Sequence, residues 1–171
     1  MAAQYYPFGR HRISESEVFY TTQLSFAFVN NRPARPGHIL SFYGLSLIQS
    51  MSHVLVCPKR EVKRVADLTA DETCDLWLTA QKVGRQLERY HNATSLTYGI
   101  QDGPQAGQTV AHVHIHIIPR QAGDFENNDD INDEIDLKEK QLKRRLDEEE
   151  RQIRSLGEMA AEADEYRKLL S

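Results

Sequence analysis

The chain has 171 residues, of which 27% are charged and 40% are hydrophobic, with two cysteines and a formal net charge of -4. This size and composition predict one globular domain, and they exclude collagen-like, disulfide-stapled and wholly disordered classes. Residues 1–123 carry twelve Lys and Arg against nine Asp and Glu, a net +3, which suits a small polyanion such as a nucleotide but lacks the dense basic stripe that duplex nucleic acid needs.

No targeting or membrane signal is readable in the first third of the chain. The first nine residues have neither the basic nor the apolar region of a secretory signal. Residues 39–56 are the most apolar stretch, but serines, a glutamine and a histidine interrupt it, so we predict no transmembrane helix. We expect a cytoplasmic protein, with the nucleus as a second compartment, that binds neither membranes nor nucleic acid.

The first predicted elements are strands, followed by a long helix. Residues 18–30 are rich in aromatic and β-branched side chains, which predicts two short strands joined by a turn. Two prolines and a glycine in residues 31–37 predict another turn. Residues 69–90 predict a helix, because Thr69 and Glu72 have capping-box spacing and apolar residues recur along one face.

Two more strands follow the helix. Residues 95–101 alternate between apolar and polar side chains, which predicts a strand. Residues 102–108, DGPQAGQ, are turn-forming, and residues 109–119, TVAHVHIHIIP, again alternate. A strand, a short turn and a second strand predict an antiparallel pair.

Three histidines alternate with apolar residues in the last predicted strand. Successive strand side chains point to opposite faces, so His112, His114 and His116 would line one face about 6.6 Å apart while the valine and isoleucines between them face the core. An unpartnered buried imidazole costs about 1 to 3 kcal/mol. Three such residues in a row therefore indicate chemistry rather than packing.

Two kinds of chemistry could use this face. Two of the imidazoles could bind zinc, although the segment offers no carboxylate or cysteine partner. Alternatively, a neutral imidazole with a pKa of about 6.5 can attack phosphorus while its neighbours bind the developing charge. On that interpretation His114 is the nucleophile, and His112 and His116 position the phosphate oxygens.

The loop before the histidines supports the second interpretation. It presents a glycine, an amide, a hydroxyl and successive backbone N–H groups, as a phosphate cradle would. Its residues are Gly107, Gln108, Thr109 and Val110.

The motif GQTVAHVHIHIIPR resembles the histidine triad (HIT) signature, and the wider sequence resembles its fragile histidine triad (Fhit) branch, the dinucleoside triphosphate hydrolases. The segments SFAFVN, PGH, HVLVCP, DLTADE and EMAAEA also occur in the order of that branch. The resemblance implies an α+β, HIT-like fold with a five-stranded antiparallel sheet, a long helix and a C-terminal helix, in a homodimer. It implies cleavage of diadenosine triphosphate to AMP and ADP through a covalent adenylyl-histidine, with a magnesium or manganese ion accompanying the substrate.

The same resemblance implies roles for individual residues. His114 would form the adenylyl intermediate, and His112 would support the triad together with a fourth histidine. Substrate contacts would come from His11, Asn30, Gln101, Gly107, Gln108, Thr109, Val110 and His116.

The fourth histidine has two candidates, because PGH and HVLVCP are contiguous in relatives but are separated here. His38 ends the first segment and His53 begins the second. We favour His53, because VLVCP is the apolar run that fills a strand. Residues 39–53 are then an unusual insertion within a HIT domain that spans residues 1–123.

The composition changes abruptly after Gly123. Of the last 48 residues, 25 are charged, with a net charge of -7. We predict a charged, largely helical C-terminal extension over residues 124–171, with apolar residues too sparse to join a core.

Two alternative functions remain open. One is a nucleoside phosphoramidase of the Hint type, which shares the triad but cleaves P–N bonds. The other is a catalytically impaired nucleotide-binding signalling module whose site the insertion has spoiled. Rates on diadenosine triphosphate and on adenosine phosphoramidate, together with nucleotide affinity, would separate the three.

Overall fold

Seven β-strands and three α-helices lie in the described residues, 4–30, 53–147 and 156–171, of a computed structural model. The strands are β1 (Tyr5–Phe8), β2 (His11–Ser14), β3 (Val18–Thr21), β4 (Ser25–Val29), β5 (Val54–Pro58), β6 (Ser95–Gly99) and β7 (Ile115–Arg120). The helices are α1 (Ala70–Tyr90), α2 (Asp130–Asp147) and α3 (Leu156–Leu170). None of these helices is long and apolar enough to cross a membrane.

The strands form a five-stranded sheet and a separate hairpin, and all pairings are antiparallel. The sheet order is β3-β4-β5-β7-β6, and β1 pairs only with β2. The predicted α+β class and five-stranded antiparallel sheet are therefore confirmed. The strands predicted over residues 18–30 and 95–101 are present as β3, β4 and β6.

Helix α1 begins where the capping-box spacing predicts. The Thr69 hydroxyl accepts from the Glu72 backbone N–H at 3.2 Å, and the Glu72 carboxylate accepts from the Thr69 N–H at 2.9 Å. The Arg60 guanidinium donates two hydrogen bonds of 2.7 Å to the same carboxylate. Together these contacts lower the pKa of Glu72 to about 2, the Arg60 hydrogen bond being the largest cause.

The prediction of one continuous strand over residues 109–119 is wrong at its beginning, because β7 starts only at Ile115. The partner strand β5 ends at Pro58, which has no N–H to continue the ladder. Residues 112 and 113 instead bond elsewhere, since the His112 N–H donates to Val110 and the Val113 N–H donates to Val62. His112 and His114 thus lie on irregular backbone ahead of the strand that carries His116.

The two faces of the sheet are covered by different elements. Helices α1 and α3 pack on one face, where Leu76, Val83, Ala163 and Tyr166 join the alternate residues of β5 and β7 in one core cluster. The β1–β2 hairpin covers the other face through a second cluster around Phe8. The prediction that the extension has no core residues is wrong, because Ala163 and Tyr166 of α3 are almost completely buried.

Helix α2 lies against the sheet through a third, smaller cluster. Ile131 and Ile135 pack on Ile118 of β7, with Phe125 at the edge. The same helix exposes Leu137, 48% of which is accessible. In its described part the helix therefore packs through a narrow apolar stripe, and this stripe determines which residue of α2 points toward the histidines.

Candidate active site

His114 is the central residue of a buried cluster on the hairpin-covered side of the sheet. The residue is 1% exposed, and the Phe8 ring packs edge-on against its imidazole at a centroid distance of 5.3 Å. Its Nδ1–H donates to the His112 carbonyl at 2.7 Å. With a proton assigned to Nδ1 by this bond, a neutral ring carries its lone pair on Nε2. Nε2 is therefore the ring atom through which a neutral His114 could act as a nucleophile.

The Nε2 atom of His114 faces a carboxylate from α2. Oε1 of Glu139 lies 2.6 Å from it, and neither side chain is accessible. Oε2 accepts from the Thr109 backbone N–H at 2.9 Å and from the Thr109 hydroxyl at 2.7 Å. An anion is thus held by the imidazole, one backbone amide and one hydroxyl.

The charges of this pair reinforce one another. Burial alone would raise the pKa of Glu139, but the charge and hydrogen bond of His114 lower it to about 2. Burial alone would lower the pKa of His114, but the Glu139 carboxylate raises it above its ordinary value. Both ring nitrogens of His114 face oxygen acceptors, so the arrangement favours a carboxylate paired with an imidazolium.

A chain of hydrogen bonds runs from Asn30 to His116. The Asn30 amide donates to His53 Nδ1 at 3.1 Å, and His53 Nε2 lies 2.8 Å from His116 Nδ1. With His53 accepting at Nδ1, it donates at Nε2, so His116 carries its own proton on Nε2. That N–H points into the cluster, 3.5 Å from Glu139 Oε1.

His116 is held neutral by its surroundings. Burial first, and then the neighbouring His114 and His53, lower its pKa well below its ordinary value. Its Nε2 has no hydrogen-bond partner among the described residues. A buried N–H without an acceptor is costly, so this atom is suited to bind an oxygen that a substrate brings.

His112 holds the framework of the site. Its Nε2 donates to the Pro58 carbonyl at 2.9 Å, and its Nδ1 accepts from the Gly9 N–H at 3.3 Å. Burial lowers its pKa to about 4, so the ring is neutral. Both nitrogens are used inside the protein, and His112 joins the hairpin turn to the end of β5 instead of facing a ligand.

In the loop of residues 107–110, Thr109 faces the histidine cluster, whereas Gln108 faces the surrounding backbone. Thr109 faces His114 through Glu139, as described above. Gln108 braces the loop, because its amide donates to the Lys63 and His112 carbonyls, both at 3.2 Å, and accepts from the Gly103 N–H at 3.0 Å.

Gln101 lies beside this loop and also contacts α2. Its amide donates to the Asp136 carboxylate, and its Oε1 is buried with no hydrogen-bond partner in the described part of the chain. Gly107 has φ +91°, and a Cβ there would lie 2.5 Å from the Gln101 amide nitrogen. A glycine at 107 therefore leaves the space that the Gln101 side chain fills.

His11 stands apart from the buried cluster. It lines an adjoining cleft of about 410 Å³ together with Arg10, Lys63, Thr109 and Val110. Of the predicted residues, His114, His116 and Thr109 surround the Glu139 carboxylate, with His53 and Asn30 behind His116, whereas Gln101 contacts Asp136 of the same helix. His38 lies outside the described residues, as does the insertion apart from His53.

Three residues could hold a metal ion. His114, His116 and Glu139 place ligand atoms within 4.8 Å of one another, the one such group found in the described ranges. Two imidazole nitrogens and one carboxylate suit zinc. Magnesium and manganese prefer oxygen ligands, so this group does not fit the divalent ion expected with the substrate.

Glu139 was not predicted from the sequence. A signal is nevertheless present, because Ile131, Ile135 and Glu139 recur every fourth residue and so share one face of α2. An acidic residue that ends an apolar stripe faces the protein, not the solvent. Its partner His114 is 25 residues away in the chain, and no local pattern identifies that pairing.

Comparison with known proteins finds HIT-family relatives both by sequence and by structure. A family model for the HIT domain matches residues 48–123. A bifunctional bis(5'-adenosyl)-triphosphatase/adenylylsulfatase of Arabidopsis thaliana is 59% identical over 165 residues, which cover 96% of this chain and 83% of that protein. A bis(5'-adenosyl)-triphosphatase of Dictyostelium discoideum is 49% identical over 162 residues, 95% of this chain and 91% of that protein.

Two solved structures are also similar over almost the whole chain. Plasmodium falciparum diadenosine triphosphate hydrolase, in complex with cyclomarin A, has a TM-score of 0.68 and 30% identity, covering 98% of this chain and 85% of that one. The Caenorhabditis elegans NitFhit protein has a TM-score of 0.69 and 40% identity, covering 99% of this chain and 31% of that one.

Proposed function

The chain belongs to the histidine triad (HIT) family, and we propose that it hydrolyses diadenosine triphosphate to AMP and ADP through an adenylyl-His114 intermediate. The observation that carries this function is the Nδ1–H bond from His114 to the His112 carbonyl, which directs the lone pair of a neutral ring to Nε2. The relatives at 59% and 49% identity, both named as bis(5'-adenosyl)-triphosphatases, support the choice of substrate.

In the first step, His114 Nε2 attacks the α-phosphorus of the substrate. The N–P bond forms, the bond from phosphorus to the bridging oxygen breaks, and ADP leaves with the electron pair. The Thr109 N–H, the Thr109 hydroxyl and the His116 Nε2–H are placed to donate to the oxygens of the reacting phosphoryl group, where charge develops. Neutral His116 serves here as a donor without needing to change its protonation state.

In the second step, water attacks the same phosphorus. A P–O bond forms, and the N–P bond breaks with its electron pair returning to Nε2 of His114. The attacking water gives up one proton to the solvent, and AMP leaves. The His112 carbonyl holds the ring in one orientation through both steps, so each attack or departure occurs along the same line.

We propose that a magnesium or manganese ion enters with the substrate and is held by its polyphosphate oxygens. When bound, such an ion neutralises negative charge on the chain of phosphates. The nitrogen-rich His114, His116 and Glu139 group supports this assignment, because it offers little to an ion that prefers oxygen ligands.

We further propose a homodimer formed through the edge that contains β6. That strand lies at one end of the sheet, and an exposed edge with apolar residues favours association. Trp77 and Tyr98 are 47% and 37% exposed, and their ring centroids lie 6.4 Å apart. Sedimentation equilibrium should give twice the monomer mass, and Trp77→Lys should shift it toward the monomer.

The same attack could act on adenylyl sulfate, which is a second candidate substrate. The observation that favours it is the name of the Arabidopsis relative, which includes adenylylsulfatase. His114 would attack the same phosphorus, and sulfate would leave in place of ADP. Release of sulfate at a rate comparable to that of ADP would support this activity, and its absence would restrict the enzyme to dinucleotides.

One assay tests the main proposal. The purified chain is incubated with diadenosine triphosphate and Mg²⁺ in H₂¹⁸O. The products are then separated, and their masses are measured by mass spectrometry. We expect AMP and ADP in equal amounts, with ¹⁸O in AMP alone, and quenched enzyme carrying one adenylyl group on His114. Heavy oxygen in ADP, or an adduct elsewhere, would contradict the mechanism.

A further inference from the structure

Helix α2 places a carboxylate on the donors assigned to the substrate phosphate. Glu139 accepts from His114 Nε2 and from both the amide and hydroxyl of Thr109. The His116 Nε2–H also points toward it, at 3.5 Å. A carboxylate and a phosphoryl group are both anions that require such donors, so the two cannot occupy this position together.

Among the α2 side chains that the structure describes, a small set attaches the helix to the domain. Ile131 and Ile135 provide its apolar anchor on Ile118, and the Asp136 carboxylate accepts from Gln101. Gln101 was itself expected to contact phosphate, so two acidic residues of α2 occupy groups that the substrate needs. The main core contains none of the described α2 side chains, so displacing this part of the helix would leave that core intact.

We propose that α2 is an intramolecular competitor of the substrate, with Glu139 as the residue that occupies the phosphate position. This inference rests on the proposed function. While Glu139 occupies the phosphate position, His114 Nε2 is paired with it and cannot reach phosphorus. Substrate binds when α2 moves off the site, and the segment then returns after product release.

Such a competitor has a defined kinetic signature. A ligand that binds only when α2 is off the site has an apparent Kd equal to its intrinsic Kd divided by the fraction of molecules in which α2 is off the site. Saturating substrate overcomes the competition, so KM is raised whereas kcat is not. The product AMP uses the same position, so its affinity should be lowered by the same factor as that of the substrate.

The test uses the full chain and a matched pair of variants. Glu139→Gln keeps the side-chain shape but removes the charge, whereas Asp133→Asn makes the same chemical change at an exposed position of the same helix. KM and kcat for diadenosine triphosphate and the Kd for AMP are measured for each. We expect Glu139→Gln to lower KM and the AMP Kd together, by at least about threefold, with kcat and the control unchanged.

A second variant guards against a folding defect. Ile135→Ala weakens the anchor of α2 without altering any donor of the site, and it should lower KM and the AMP Kd in the same direction. Thermal unfolding identifies a variant that is merely unstable. If both variants bind AMP as the wild type does, or more weakly, the inference is wrong.

The AMP measurement separates this inference from the proposed function. A wild type that fails to cleave diadenosine triphosphate contradicts the proposed function, but its AMP affinity relative to Glu139→Gln still decides whether α2 competes. Conversely, normal hydrolysis with equal AMP affinity in both proteins preserves the enzyme and rejects the competitor.

Discussion

The Nε2 atom of His114 lies 2.6 Å from Oε1 of Glu139, and both side chains are completely enclosed. The carboxylate raises the pKa of His114, so the contact favours a proton on this nitrogen. A protonated Nε2 has no lone pair to offer phosphorus. In the proposed mechanism, His114 would therefore attack only after the pair separates and Nε2 is unprotonated.

Replacing the nucleophile should stop turnover but not binding. We expect His114→Asn to reduce kcat by at least about 10³-fold, because no neighbouring group can form the adenylyl bond, while AMP affinity stays within a few-fold. Radiolabelled substrate and equilibrium dialysis measure the two quantities. His91→Asn, at a histidine bonded to Tyr166 far from the cluster, is the control and should retain turnover; an active His114→Asn enzyme would refute the mechanism.

The hydrogen-bond chain behind the site should contribute to both stability and rate. In His53→Ala, the Nδ1 atom of His116 loses its donor, and an unsatisfied buried group costs about 1 to 3 kcal/mol. The proton of His116 is then free to move to Nδ1, which removes the donor that faces the substrate, so kcat should fall. Urea unfolding and steady-state rates measure the two effects. A fall in stability with unchanged kcat would limit His53 to a structural role.

The loop glycine should be required for the position of Gln101. In Gly107→Ala, the new methyl carbon would lie 2.5 Å from the Gln101 amide nitrogen, and φ at this position is +91°. Gly123→Ala is a matched control, since its φ is +79° but nothing lies within 4 Å of the added carbon. Both variants carry the same kind of backbone strain, and only Gly107→Ala should lower kcat/KM. Equal losses in the two would show that the strain alone matters.

The start of α1 should become sensitive to acid in a predictable direction. The pKa of Glu72 is lowered to about 2 by Arg60 and Thr69, so its contribution to stability is complete above the unfolded value of about 4.5 and is lost as the pH falls toward 2. Glu72→Gln should cost about 1 kcal/mol at neutral pH, and the difference from wild type should disappear in acid. Chemical unfolding between pH 2 and 7 measures it, with Asp71→Asn as a control; a difference that persists at pH 2 would exclude this origin.

Local patterns in the sequence predict much of this fold. The capping box identifies the first turn of α1 because both of its partners lie within four residues, and alternation identifies β4, β6 and the inward side chains of β7. The first half of the histidine segment could not be predicted in the same way. Its conformation depends on where β5 ends at Pro58 and on the Val62 carbonyl that receives the Val113 N–H, contacts more than fifty residues away.

In the candidate site, too, local sequence predicts some features, and contacts between distant residues determine the others. The order of His112, His114 and His116 shows which imidazole is central, but not which ring nitrogens are engaged. His112 resembles its neighbours in sequence, yet its bonds to Gly9 and Pro58 make it part of the framework. Glu139 was missed because its role arises from the packing of Ile131 and Ile135 on β7, and a charged helix alone predicts a solvated surface.

The Asn30 N–H donates to the His53 carbonyl at 3.0 Å, which fastens together the two ends from which residues 31–52 depart. Val29 and Val54 are paired in the adjacent rung of the ladder. Because the β4–β5 ladder holds the two ends together, residues can be inserted or deleted between Asn30 and His53 at low cost. The entropic cost of a longer loop is only about 0.6 kcal/mol per doubling of length. Splice variants that differ there would then keep the same hydrogen-bond chain from Asn30 through His53 to His116, so variation in gene structure at this position need not be variation in catalysis.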